Sequence, residues 1–232
     1  SKRHPEYWLN DEDEGGKNNF EKELLEQLLY RYRRKVKFNY HKILNNKSGE
    51  KLNENISNLL QDQLSVVVYN FVDILSHART DTKMIRELAD DDAAYRDLTL
   101  TWFEHSPLLE MIKIISKEKV KVFITTDHGS VNVTNPVKVI GDKKTTTNLR
   151  YKQGRNLGYK KNQVYEVTNP EEIGLPASNL SSSYIFAYNF DFFAYPNNYN
   201  HYVKYYKNTF QHGGISLEEL LIPYITLIPK KY

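Results

Sequence analysis

The sequence predicts an α/β fold, helices sandwiching a mixed sheet, and three observations carry the prediction. Short β-branched runs, such as Val66-Val67-Val68 and the stretch from Val120 to Thr126, alternate with segments whose apolar residues recur at helical spacing. Two of these runs lead into polar residues, Asp73 in one case and Asp127-His128 in the other. In open α/β sheets the ligand crevice lies outside such strand ends. Finally, 232 residues suffice for a sizeable core, and no apolar run approaches membrane-spanning length.

The elements follow in order. The acidic segment Asn10 to Gly16 caps a helix expected from about Lys17 to Lys37, whose Phe20, Leu24, Leu25, Leu28, Leu29 and Tyr32 form an apolar stripe. The Asn- and Lys-rich stretch 45–58 reads as a loop passing into a helix, so residues 1–65 make a mainly helical lead-in to a core of residues 66–232. A buried strand runs from Val66 to Val72 and ends at Asp73; a helix beyond it places His77 one turn further on the same side. Asp90-Asp91-Asp92 opens another helix. Pro107 opens the next, with Leu108, Leu109, Ile112 and Ile115 on its apolar face, and it feeds the Val120 strand. Neighbouring strand residues point to opposite faces, so Asp127 and His128 converge only if the backbone turns, which Gly129 permits.

Between Gly141 and Lys161, Lys143, Lys144, Arg150, Lys152, Arg155, Lys160 and Lys161 face a single acid, Asp142, and the reading is a mobile basic loop returning at the Gln163–Val167 strand. Aromatics recur from Tyr184 to Tyr195, and their alternation in the first part of that run reads as a strand with one aromatic face; the tyrosines after Pro196 are less easily buried. Gly213 and Gly214 let the backbone pass close to an anion or metal, and Ser216 with Glu219 forms a capping box. Leu220 to Ile228 is a strand whose Pro223 marks an edge or a bulge. One domain is expected.

The chemistry rests on three strings: Asp73 to His77, Thr126-Asp127-His128-Gly129, and His212-Gly213-Gly214 followed by Ser216, Glu218 and Glu219. With no cysteine, disulfides and thiolate ligands are excluded, leaving the His and carboxylate donors typical of catalytic zinc. His4, His41, His105 and His201 lack a paired carboxylate at ligand spacing and read as structural or surface residues. A net charge of +3 does not by itself require a polyanionic partner.

In order and spacing these strings resemble the alkaline phosphatase superfamily, and more closely its PglZ branch as found in PorX-type response regulators of Bacteroidota, which belong to type IX secretion. The resemblance covers about residues 60–232. It implies an alkaline-phosphatase-like α/β/α sandwich in which Asp73, His77 and His212 hold one zinc ion and Asp127 and His128 another. In the superfamily the second ion also takes an Asp and a Ser or Thr nucleophile from the first part of the domain, and residues 1–65 show no match for either. The resemblance therefore implies that residues 1–232 are the C-terminal portion of one PglZ domain, with its N-terminal part and nucleophile upstream, two zinc ions in the complete domain and one in this chain, which alone is inactive.

The implied function is a cytoplasmic zinc-dependent phosphoesterase, the effector domain of a two-component regulator that pairs as a homodimer, with no membrane partner. Lys143, Lys144, Arg150, Lys152 and Arg155, with the aromatic cluster, favour a phosphodiester in a nucleotide or oligonucleotide as substrate. The alternative is a non-catalytic, zinc-stabilised module for signalling or nucleic-acid binding.

Overall fold

Residues 4–7, 20–72, 74–75, 78, 82–89, 91–142, 145–177 and 181–229 are described by the computed structural model. They fall into two units, Ser1–Phe20 with Thr126–Ile222 and Glu21–Thr125 with Pro223–Tyr232. The mixed α/β class is as the sequence predicts. Pairing among the described residues is spread over five small sheets, parallel in two and antiparallel in three. No helix among these residues is long and apolar enough to cross a membrane.

In the unit of residues 21–125, helix α1 (Glu21–Arg31) is shorter than the 17–37 expected from its stripe. It stops because Arg33 turns left-handed at φ 51°. The Arg34 amide then donates to the Leu29 carbonyl and the Arg33 amide to that of Tyr30, both at 2.9 Å, which satisfies carbonyls left open by the helix end. The acidic segment 10–16 and residues 17–19 lie outside the described residues.

Strand β1 (Phe38–Ile43) follows, a strand not expected within the mainly helical lead-in: it runs parallel to β2 (Leu64–Tyr69), with Phe38 opposite Leu64 and Ile43 opposite Tyr69. Helices α2 (Asn46–Glu54) and α3 (Ile56–Leu59) make the crossover that a parallel pair requires. Asn45 caps α2 by accepting from the Ser48 amide at 2.9 Å. Strand β2 ends at Tyr69, short of the expected 72, and Phe71 and Val72 are already helical. Phe71 stacks on Trp102 at 3.9 Å, and the Tyr95 hydroxyl donates to the Val72 carbonyl at 3.2 Å.

Helix α4 (Lys83–Leu88) leads to α5 (Asp92–Glu104), capped by Asp91, and to α6 (Pro107–Ile115), capped by Ser106 with Pro107 in its first turn. The core of this unit joins Ile43, Leu52, Leu59, Met111 and Ile115. Strand β3 (Val122–Thr125) pairs antiparallel with β11 (Tyr224–Leu227), every residue of which is exposed.

The unit of residues 126–222 is built from short strands. β4 (Val131–Val133) pairs antiparallel with β10 (Thr209–Gln211), and β5 (Asn135–Lys138) runs parallel to β9 (Asp191–Ala194). β6 (Tyr151–Gly154) and β7 (Tyr165–Val167) flank β8 (Ser183–Phe186). The first part of the aromatic run is the predicted strand, β8, and its second part makes a separate strand, β9; the basic segment contains a strand, β6, instead of being one mobile loop. Helix α7 (Tyr199–Tyr206) buries one face: Tyr199, Val203 and Tyr206 pack on Val131, Val133, Phe192 and Ala194. Helix α8 (Leu217–Leu220) begins at Ser216 with the predicted capping box.

Candidate metal centre

Local hydrogen bonds bend the chain beyond β3 and bring two adjacent donors together. The Thr126 hydroxyl donates to the His128 carbonyl at 3.0 Å, and the His128 amide donates to Asp127 Oδ1 at 3.1 Å. As a result Asp127 Oδ1 and His128 Nε2 are 3.9 Å apart. Two ligands of one tetrahedral ion with bonds of this kind stand about 3.4 Å apart, so a small closure would let both bind one ion. Nδ1 of His128 is 2.9 Å from the Gly129 carbonyl, which can only accept, so Nδ1 carries a proton, and in the neutral ring it is Nε2 whose lone pair is available to a metal.

His212 follows β10, and its ring stacks on that of His128 with centroids 3.9 Å apart and planes 16° from parallel. Among the described residues no three His, Asp or Glu side chains gather into a metal-holding group. Asp73 and His77 lie outside those residues. The donor set that is described, one carboxylate and two imidazoles, is the chemistry that catalytic zinc uses.

Glu219 organises both turns. Its backbone carbonyl accepts from the Gly129 amide at 3.0 Å, holding the Asp127-His128 turn. Its side-chain Oε1 accepts from the Gly214 amide at 2.8 Å, holding the His212-Gly213-Gly214 turn. The carboxylate is 2% exposed and its partner Arg150 is fully buried. Arg150 engages it through two nitrogens, Nε to Oε1 at 2.9 Å and Nη2 to Oε2 at 2.7 Å. Arg150 Nη1 also donates to the Asp191 carbonyl, and Nη2 to Ser216 Oγ at 2.5 Å. Burial alone would push the Glu219 carboxyl up, but the Arg150 guanidinium and the amides of Ser216 and Gly214 more than offset it and hold the group below its ordinary value.

The glycines serve this packing. A methyl on Gly129 would overlap the Glu218 carbonyl oxygen, so Gly129 is required by close approach, not by a left-handed turn. Gly213 is left-handed at φ 106°, and a methyl on Gly214 would sit 2.6 Å from the Ala187 carbonyl oxygen.

The chain matches the family model for the BREX system PglZ alkaline phosphatase-like domain over residues 1–227. The chain belongs to the PglZ family. No curated protein matches it. As an alkaline-phosphatase-like PglZ domain it falls among hydrolases of the phosphoester type.

Two of the basic residues expected to meet substrate are corrected by the structure. Arg150 belongs to the buried pair with Glu219. Lys152 is 1% exposed, donates to the Thr146 carbonyl at 2.8 Å and lies over the Tyr195 ring. Neither faces solvent, so neither can steer a substrate. Arg155 is exposed, and Lys143 and Lys144 lie outside the described residues. In the sequence Ser216 and Glu219 stand as a helix cap and as the end of the third string, and neither reading shows that Glu219 anchors the turns of both His128 and His212; the signal for it is the Ser-x-x-Glu box immediately after the His-Gly-Gly string.

Proposed function

We propose that this domain is a zinc-dependent phosphoesterase, with Asp127 and His128 holding one ion and Asp73, His77 and His212 the other. One observation carries the reading: in a PglZ-family chain the Asp127 carboxylate and the His128 imidazole converge beside a second imidazole, His212. When bound, the ions supply Lewis-acid stabilisation of charge on phosphate oxygens and activation of an attacking oxygen.

The chain's own residues orient and hold. The Gly129 carbonyl fixes the His128 tautomer, the Asp127 carboxylate provides negative charge for a cation, and Glu219 ties the two histidine turns to one buried anchor. We further propose a phosphodiester of a nucleotide or oligonucleotide as substrate, with Lys143, Lys144 and Arg155 retained as the residues that attract it. The role as effector of a cytoplasmic two-component regulator is supported by the motif resemblance alone.

Metal analysis tests the site. Zinc should co-purify with the protein, and Asp127→Asn, His128→Ala and His212→Ala should each lower its zinc content. In the full-length protein Asp127→Ala should cut dinucleotide hydrolysis by two orders of magnitude or more. Zinc content unchanged in all three variants would overturn the ligand assignment; zinc binding without any phosphoester turnover by the full-length protein would instead favour the non-catalytic, zinc-stabilised module.

A further inference from the structure

The strongest concentration of charge lies away from the histidine strings, in the sequence Arg31-Tyr32-Arg33-Arg34-Lys35-Val36-Lys37. It holds five cations and no acid, more charge than the whole chain's net of +3. Lys37 is already neutralised by Asp62 at 2.8 Å. Among the described residues, Arg31, Arg33, Arg34 and Lys35 have no carboxylate partner, and all four are exposed. The negative pole of the α1 C-terminus, worth about half a charge, offsets only a fraction of them.

The left-handed residue Arg33 explains why these cations face one place. The turn it makes folds the chain back at the end of α1, so that Tyr30, Arg31, Arg33, Arg34 and Lys35 line a recess of about 420 Å³. Two large aromatic rings of the same segment stand in water, Tyr30, which lines the recess, at 82% exposure and Tyr32 at 66%. The Arg31 guanidinium lies over the Tyr32 ring, 5.2 Å from its centroid, which holds a planar cation and a ring together at the rim.

We infer that this recess is a binding site for single-stranded oligonucleotide, with the four cations meeting consecutive phosphates and the two tyrosines stacking bases. Cations alone would fit any polyanion. Exposed rings interleaved with arginines add what a base recognises and a bare phosphate chain does not. The inference does not depend on the hydrolase reading, since every residue it uses lies in α1 and the turn that follows.

The test is equilibrium binding of a short fluorescent oligothymidylate, measured by anisotropy in chelator so that hydrolysis at the proposed metal centre cannot consume the probe. The unaltered protein should bind with a log–log salt slope of about −3, as expected for about four neutralised phosphates on a single strand. A variant carrying Arg31→Gln, Arg33→Gly, Arg34→Gln and Lys35→Gln should bind more than ten-fold more weakly with a flattened slope. Arg33→Gly keeps the turn, because glycine accepts the left-handed backbone. A Tyr30→Leu, Tyr32→Leu variant should keep the salt slope and lose at least five-fold in affinity for the oligonucleotide, while competition by inorganic polyphosphate stays unchanged. No binding by the unaltered protein, or equal binding by the charge variant, would overturn the site. Unchanged affinity of the tyrosine variant would overturn its assignment to oligonucleotide and leave an unselective anion surface.

Discussion

Glu219 is charged in a place where a lone carboxylate would not be, because Arg150 and two amides stabilise the ion there. Replacing it by glutamine preserves shape but leaves the buried guanidinium without a counter-charge, a loss of about 3–5 kcal/mol for a pair broken on one side. The pH dependence has a definite sign. A carboxyl held below its ordinary value of 4.5 contributes its full stability above that pH and loses it as the pH falls through the lower, folded value. Urea titrations of the unaltered protein should therefore show stability falling with acid below about pH 4.5, and Glu219→Gln should remove that part of the acid limb while lowering the plateau. A second substitution isolates the position of the turn: Gly129→Ala must displace the Glu218 backbone, at about 1–3 kcal/mol for an overpacked site, and with it the His128 ring. Zinc affinity should fall together with stability, which calorimetric titration would read. The gathering of Asp127, His128 and His212 was legible in the three strings; what anchors their turns was not, because Arg150 lies 69 residues from Glu219 and a charge in a basic stretch looks solvated.

Elements were legible where local chemistry marks their ends. Asp91 and Ser106 each precede a helix and each caps it, and Pro107 sits in a first turn where its missing amide costs nothing. Strand β1 was missed because Phe38-Asn39-Tyr40-His41-Lys42-Ile43 mixes polar and aromatic residues without a continuous apolar run, and five of its six residues are only partly buried. Its identity as a strand comes from its neighbour, the β-branched β2, a tertiary effect that periodicity cannot see. The end of α1 was misjudged for a similar reason: the left-handed stop falls on an arginine, not on a glycine that would have announced it. The crossover between β1 and β2 depends on a cap that can be tested. Asn45→Ala removes one side of the α2 capping box and should destabilise by about 1 kcal/mol in chemical denaturation, leaving zinc content unchanged.

At the scale of the molecule, three short motifs in fixed order sufficed to indicate the family. The distribution of charge was less legible. A net of +3 conceals both a salt bridge sealed from water and an open cluster at the end of α1, and only burial separates them. Strand β11 carries a different consequence. Tyr224, Ile225, Leu227 and Ile228 stand in solvent, uncharged and β-prone, and among the described residues the strand pairs along one side only, with β3. That makes it a template on which another copy's strand could add, the first step toward a fibril. Pro223 and Pro229 bracket the segment, and each lacks the amide that an added strand would need for its next rung. Replacing both with alanine should shorten the lag before thioflavin-positive aggregates form in the partly unfolded protein, and Ile225→Lys in that background should restore it; equal lag times in all three proteins would show that the prolines guard nothing.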